Sequence, residues 1–202
     1  GERTVEFGCG VGGVMLCLAS RVPGVSIVGL EIQPELAELC RKNVERNKMQ
    51  GLEVRQGDVT SFSETGFDHV FMNPPYHDEA RHDVSSNASM RTANADKDGD
   101  LKLWIESVAR ALKPTGDITI IHRADRKDEI VGLLQKHFNS IRILPLLPKE
   151  GVEPKRIILR ASTKTGGVML CKPLILHKAE GGYTAEADRI LRDAEALDFT
   201  PA

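Results

Sequence analysis

The chain has 202 residues, a length that fits one domain of ordinary size. Hydrophobic residues make up 41% and charged residues 28%, with a net charge of -2, so the chain can build a sizeable core and is not intrinsically disordered. No apolar run approaches the roughly 18 residues that a membrane helix needs, which excludes a membrane-spanning protein.

The four cysteines, at positions 9, 17, 40 and 171, include no CxxC pair and stand in apolar contexts. No signal-peptide pattern is present, so we expect reduced thiols in a cytoplasmic protein. The histidines form no metal-ligand spacing with the cysteines, and we expect no zinc site. The sequence enters a strand pattern at once without an initiator methionine, so we expect a segment ahead of Gly1 to be missing from it.

Apolar β-branched runs alternate with amphipathic stretches, a pattern typical of an α/β fold with a mostly parallel sheet and helices on both faces. We predict seven strands, at 4–7, 26–31, 53–56, 68–72, 117–122, 140–147 and 155–161, and helices at 13–21, 34–48, 101–112 and 126–137. Residues 148–154 are too few for a crossover helix, so the last two strands should form an antiparallel hairpin. Residues 77–100 are polar and lack periodicity, which predicts a long flexible loop on the substrate side. After Gly166 come a further apolar run and a short acidic helix candidate.

A glycine-rich segment, Gly8-Cys9-Gly10-Val11-Gly12-Gly13, follows the first predicted strand and opens the first helix. Glycine lets a ligand approach the backbone where the chain turns into a helix whose N–H groups face it, although such turns also occur wherever a strand and a helix pack closely. Glu31 ends the next strand, where a carboxylate can accept hydrogen bonds from two ribose hydroxyls. Together they predict a nucleotide-cofactor site that fits NAD and S-adenosylmethionine alike.

Asp58 follows the third strand and favours S-adenosylmethionine, because an acid there can accept a hydrogen bond from the exocyclic amine of adenine. A turn or a helix cap is an equally good interpretation of this aspartate.

Asn73-Pro74-Pro75-Tyr76 ends the fourth predicted strand, where ligands of such sheets bind. A planar amino group becomes nucleophilic when acceptors hold both of its N–H bonds, because its lone pair is otherwise delocalised. The Asn73 side-chain oxygen and the Pro74 carbonyl are two such acceptors, and Tyr76 offers a flat face for stacking. A tight turn after a strand is the structural alternative.

These motifs resemble those of class I S-adenosylmethionine-dependent methyltransferases that modify amino groups. Within that class the chain is most similar to the bacterial tRNA(1)(Val) adenine-N6-methyltransferase family, on its compact size, on Arg91-Thr92-Ala93, on Trp104 and on tail residues 174–177 and 182–184. The resemblance implies one Rossmann-like methyltransferase domain over residues 1–202, S-adenosylmethionine as cofactor with S-adenosylhomocysteine as product, and N6 of adenine in tRNA as substrate.

The resemblance also implies roles for individual residues. The catalytic set is Asn73, Pro74 and Tyr76. The cofactor-binding set is Glu6, Gly8, Cys9, Gly10, Gly12, Glu31, Ile32, Asp58, Val59 and Asn73. We expect Trp104 to pack in the core beneath the long loop.

Several alternatives stay open at this point. The same motifs would serve transfer to guanine N2 in ribosomal RNA or to a protein glutamine. A NAD-binding Rossmann oxidoreductase would use the same glycine segment and Glu31 but gives no reason for Asn-Pro-Pro-Tyr, and a non-catalytic RNA-binding or scaffold protein is also possible. A net charge of -2 does not favour a polyanion ligand, so RNA binding would depend on local basic clusters, at 41–48, 123–127 and 149–156.

Overall fold

The protein is described by a computed structural model that covers residues 1–75 and 99–202. The strands in these ranges are β1 (Arg3–Phe7), β2 (Ser26–Glu31), β3 (Leu52–Gln56), β4 (Phe67–Met72), β5 (Leu112–Arg123), β6 (Ser140–Leu147), β7 (Arg156–Ser162), β8 (Gly167–Leu170) and β9 (Leu174–Ile175). The α-helices are α1 (Gly13–Arg21), α2 (Pro34–Arg46), α3 (Gly99–Ala111), α4 (Lys127–Leu134) and α5 (Ala185–Arg192). Short 3-10 helices cover Val59–Ser61 and Ala124–Arg126.

The chain divides into two compact units, Gly1–Gly116 and Asp117–Ala202. In the first unit the strands follow the order β3-β2-β1-β4 and all pair in parallel. In the second unit, which contains β5 from Asp117 on, the order is β5-β7-β6-β8. Strand β7 is antiparallel to both of its neighbours, and β8 and β9 are parallel to β6. The predicted α/β class, with a mostly parallel sheet and antiparallel strands toward the C-terminus, is confirmed.

Burial along the strands follows from this pairing. Five of the six residues of β2 are buried, because a parallel strand between two others is covered on both faces. In the antiparallel strand β7, buried Ile157, Leu159 and Ala161 alternate with more exposed residues. One face of that strand is therefore fully buried, and on the other face partly buried Ile158 packs against a second cluster around Leu144 and Leu146.

A cluster of sulfur-containing side chains joins helices and loop to the first sheet. Buried Cys9, Met15 and Cys40 pack together with Ile27. A Cβ on Gly29 of β2 would lie 2.8 Å from Met15 Sδ and 2.9 Å from the Cys9 sulfur. The absence of a side chain at Gly29 thus lets α1 and the loop before it approach the sheet closely.

The structure differs from the predicted elements mainly near the C-terminus. Strands β8 and β9 lie in the apolar run after Gly166, which has no periodicity long enough to predict strands of four and two residues. The predicted helix at 34–48 ends at Arg46, and Lys48 has a left-handed backbone with φ of 53°. The predicted loop at 77–100 lies outside the described residues except for its last two, which begin α3. No helix in the described part of the chain has the length and apolar character that crossing a membrane requires.

Candidate active site

The carboxyl ends of three parallel strands meet at one edge of the first unit. Phe7 of β1 pairs with the last residue of β4 and with the penultimate residue of β2. Gly8, Glu31 and Asn73 therefore leave the sheet at nearly the same level. The structure brings together the glycine segment, the acid and the Asn-Pro-Pro turn, as the sequence predicts.

The loop between β1 and α1 needs its glycines for conformational reasons. Gly8, Gly10 and Gly12 have φ angles of 72°, 53° and 86°, in the left-handed region that side chains disfavour. The N–H groups of Gly8 and Cys9 both donate to the Leu30 carbonyl, at 2.9 Å and 3.0 Å. These bonds fix the glycine loop, residues 8–13, against the end of β2.

Glu31 contributes more to this loop than the sequence indicates. Its carboxylate is 5% exposed; Oε2 accepts a hydrogen bond from the Gly10 N–H at 2.8 Å and Oε1 accepts one from the Gln33 N–H at 2.9 Å. Each carboxylate oxygen can accept more than one hydrogen bond. Glu31 can therefore hold the loop and still accept hydrogen bonds from ligand hydroxyls.

Open space and an exposed apolar side chain adjoin Glu31. A Cβ on Gly10 would meet no atom within 4 Å, so that side of the loop is open. Directly after Glu31, Ile32 has 54% of its surface exposed. A nucleoside offers hydroxyl donors and a flat apolar base, and these residues fit both parts.

Asp58 caps the 3-10 helix that follows β3. Its Oδ1 accepts a hydrogen bond from the Thr60 N–H at 2.8 Å, which is the capping role that the sequence left as an alternative. The cap uses one carboxylate oxygen of an exposed side chain, while Val59 beside it is buried. A contact between Asp58 and adenine stays a prediction that this geometry allows.

Glu6 lies beneath the loop. It is 4% exposed, and its Oε2 accepts a hydrogen bond from the Met15 N–H at 3.0 Å in the first turn of α1. Burial raises the pKa of Glu6 to about 8, against the opposing effect of the Met15 hydrogen bond. At neutral pH this carboxyl is mostly protonated and ties β1 to α1.

Cys9 turns its side chain away from the ligand side of the loop. The thiol is buried in the sulfur cluster, where a hydrogen bond with Cys40 and burial both raise its pKa. Of the predicted cofactor contacts from Cys9, only the backbone is available.

The Asn-Pro-Pro turn presents its amide at the surface. Asn73 is exposed and Pro74 is buried behind it. Rigid proline anchors the turn while the asparagine side chain stays accessible. Tyr76 lies outside the described residues, so its stacking role stays a prediction.

Trp104, which the sequence predicts to pack in the core beneath the long loop, is instead a half-buried neighbour of the glycine loop. It is half-buried on α3, and its Cη2 lies 3.0 Å from the position that a Cβ on Gly8 would occupy. The indole thus packs against the glycine loop. The available signal was that the only tryptophan of the chain stands in the helix after Asn-Pro-Pro-Tyr.

The basic cluster at 123–127 is largely neutralised locally. Each of its three cations contacts an acidic residue one to three positions away, in the pairs Arg123–Asp125, Arg126–Glu129 and Lys127–Asp128. This cluster therefore does not present the unpaired positive surface that its sequence indicates.

Comparison with known proteins decides the family. Residues 1–146 match the family model described as methyltransferase small domain, and this stretch contains all of the predicted site residues. The chain belongs to the methyltransferase small domain family. It is an S-adenosylmethionine-dependent methyltransferase, which removes the nicotinamide alternative.

The chain is similar to methyltransferases that act on different substrates. The chain is 26% identical over 214 residues to the tRNA1(Val) (adenine(37)-N6)-methyltransferase of Porphyromonas gingivalis, a match that covers 98% of this chain and 81% of the relative. It is 28% identical over 145 residues to the ribosomal RNA small subunit methyltransferase C of Haemophilus influenzae, covering 70% of this chain and 38% of the relative. A match of 34% identity over 80 residues to the release factor glutamine methyltransferase of Aliivibrio fischeri covers 38% of this chain and 28% of that protein.

The fold has a close structural counterpart. A crystal structure of a predicted O-methyltransferase from Agrobacterium tumefaciens superposes with a TM-score of 0.80 at 21% sequence identity, over 97% of this chain and 91% of the other. The likeness confirms the Rossmann-like methyltransferase fold.

A side chain at Gly10 should block the cofactor without disturbing the protein core. We expect Gly10→Ala to weaken S-adenosylhomocysteine binding at least about tenfold, because the methyl group enters the open space beside Glu31. Gly66→Ala is the matched control, since Gly66 also has a positive φ, of 86°, and open space around it. Isothermal titration calorimetry measures the affinities; equal losses in both variants would mean that backbone strain alone is responsible.

The buried Glu6 carboxyl should make stability depend on pH. Burial raises the pKa of Glu6 from its ordinary value of 4.5 to about 8 in the folded state. Between these values the folded protein binds a proton that the unfolded chain lacks, so this group lowers stability as pH rises. We expect Glu6→Gln to become progressively more stable relative to the parent from about pH 4.5 to pH 8, with no further gain above. Thermal unfolding across this range measures the difference, and a constant difference would contradict the assignment.

Proposed function

We propose that this protein transfers a methyl group from S-adenosylmethionine to an exocyclic amino group, N6 of adenine in tRNA. The observation that carries the proposal is the exposed Asn73 side chain at the end of β4, next to the glycine loop and backed by buried Pro74. It offers hydrogen-bond acceptors at the edge of the sheet where the cofactor loop lies.

The chemistry asks these residues mainly for orientation. When bound, S-adenosylmethionine supplies an electrophilic methyl group. The Asn73 amide oxygen and the Pro74 carbonyl accept the two N–H bonds of the target amine, which draws the nitrogen toward tetrahedral geometry and frees its lone pair. The amine becomes acidic once methylated, so its proton passes to solvent without a strong general base.

The choice of tRNA rests on how far the relatives align. Adenine N6, guanine N2 and a glutamine amide all present a planar amino group, so the Asn-Pro-Pro turn suits each of them. The tRNA methyltransferase of Porphyromonas gingivalis aligns over 98% of this chain, whereas the ribosomal RNA enzyme aligns over 70%. The longer alignment extends through the second unit and favours tRNA.

The cellular setting is part of the proposal. All four cysteines are free thiols, as is usual in a reducing compartment. We place the activity in the cytoplasm, where tRNA is modified.

The test is methyl transfer with and without the Asn73 amide. We expect Asn73→Ala to lower kcat by about 100-fold or more, because the target amine loses one of its acceptors, while S-adenosylhomocysteine affinity stays within a few-fold. Asn47→Ala, which changes another exposed asparagine of the same unit, is the matched control.

A radiolabelled methyl-transfer assay identifies the methylated molecule. The candidate substrates are tRNA, ribosomal RNA, DNA and protein from a strain lacking the protein, and nucleoside analysis follows the transfer. We expect label in N6-methyladenosine of tRNA. Label in guanosine or in glutamine would overturn the substrate, and parental activity in Asn73→Ala would overturn the role of Asn73.

A further inference from the structure

A short hairpin in the second unit has no part in the chemistry proposed above. Residues 176–184, the tail hairpin, follow β9. The N–H groups of Leu176 and His177 donate to the carbonyls of Leu147 and Pro148, at 2.8 Å and 3.0 Å. The tail hairpin thus continues the pairing of β9 with β6 past the end of β6.

Several contacts hold the tail hairpin in one conformation. Gly181 and Gly182 make its turn with φ angles of 106° and 74°, and the Lys178 N–H donates to the Gly182 carbonyl at 3.1 Å. Lys149 Nζ donates to the Ala179 carbonyl at 2.9 Å. The Thr184 hydroxyl donates to the Ile175 carbonyl at 2.7 Å and accepts from the first turn of α5. Hydrogen bonds therefore fix the tail hairpin at its glycine turn, at Ala179 and at Thr184.

The tail hairpin carries two stacked aromatic rings. His177 and Tyr183 are bridge partners on opposite strands, with ring centroids 5.0 Å apart and planes inclined by 21°. Tyr183 nevertheless leaves 42% of its surface exposed to solvent. A flat ring, held in place from behind and open to solvent, is the arrangement on which nucleobases stack.

The charge distribution of the protein makes base stacking important for RNA affinity. The net charge is -2, and the cations at 123–127 contact neighbouring acids. Phosphate contacts usually dominate RNA affinity, and they require unpaired cations. The exposed cations at the tail hairpin are Lys178 and Lys149, and Lys149 Nζ already donates to the Ala179 carbonyl. An RNA ligand must therefore obtain much of its affinity here from contacts other than charge.

We propose that the tail hairpin is a nucleobase-binding site, in which an unpaired base of the RNA substrate stacks on Tyr183. The inference rests on the proposed RNA substrate and adds a contact outside the reacting amine. Base stacking tolerates any base, so this site contributes affinity and holds single-stranded RNA without reading its sequence.

A purely structural role for the ring pair predicts different mutant behaviour. Cross-strand aromatic pairs also stabilise hairpins. Tyr183→Leu keeps an apolar side chain against His177 but removes the flat ring, whereas Tyr183→Phe keeps the ring. Leu191→Ala, which alters another exposed apolar residue of the second unit, is the matched control.

The experiment measures binding of a fluorescein-labelled, unmodified tRNA(1)(Val) transcript to the full protein by fluorescence anisotropy, over a series of salt concentrations. We expect Tyr183→Ala and Tyr183→Leu to bind about 5- to 100-fold more weakly, with unchanged S-adenosylhomocysteine affinity and unchanged salt dependence. Tyr183→Phe and Leu191→Ala should bind within about threefold of the parent.

The outcomes separate this inference from the proposed function. Parental binding by Tyr183→Leu would overturn the stacking site, whether or not Tyr183→Ala is impaired, while leaving methylation of tRNA intact. A parent protein that binds no transcript would overturn both. Loss of binding in the Leu variant together with label in guanosine would support the stacking site and overturn adenine as the target.

Discussion

The buried carboxylate of Glu31 links the sheet, the glycine loop and the cofactor site. Its two oxygens accept hydrogen bonds from the backbone N–H groups of Gly10 and Gln33. One side chain therefore fixes both the glycine loop and the residue that precedes α2. A carboxylate with so little exposure is costly to bury unless it is well hydrogen-bonded. The backbone partners meet that need and leave lone pairs for ribose hydroxyls.

The loop depends on the packing below it as much as on Glu31. Gly29 admits Cys9 and Met15 against β2, and protonated Glu6 holds the first turn of α1 through the Met15 N–H. The loop therefore rests on a buried, sulfur-rich layer, and Gly10 lies at its open side. This division explains why a segment with three left-handed glycines can keep a defined shape.

Local signals made much of the fold predictable. The span 13–21 of α1 follows from a glycine loop followed by an apolar periodic stretch. The strand ends at Phe7, Glu31 and Met72 follow from strand patterns that stop at turn residues. The meeting of Gly8, Glu31 and Asn73 at one sheet edge was predictable for the same reason, because these residues stand directly after those strands. The hydrogen bond between Glu31 and the Gly10 backbone was not predictable, because it joins residues 21 positions apart through an N–H that every residue except proline carries.

The features that sequence reasoning missed depend on tertiary contacts. The packing of Trp104 against Gly8 joins a helix to a loop almost a hundred residues earlier, and no periodicity signals it. Likewise, His177 and Tyr183 stand six positions apart, and only the turn at two glycines brings their rings together. The ion pairs that neutralise the basic cluster after β5 could have been anticipated, since each acid stands within three residues of its cation.

We propose that Glu31 both shapes the glycine loop and binds the cofactor. Calorimetric titration of Glu31→Gln with S-adenosylhomocysteine, beside its thermal unfolding, tests it most directly. The amide keeps one acceptor oxygen where two are used, so we expect at least about tenfold weaker binding together with a lower unfolding temperature. Binding within twofold of the parent, at unchanged stability, would contradict it.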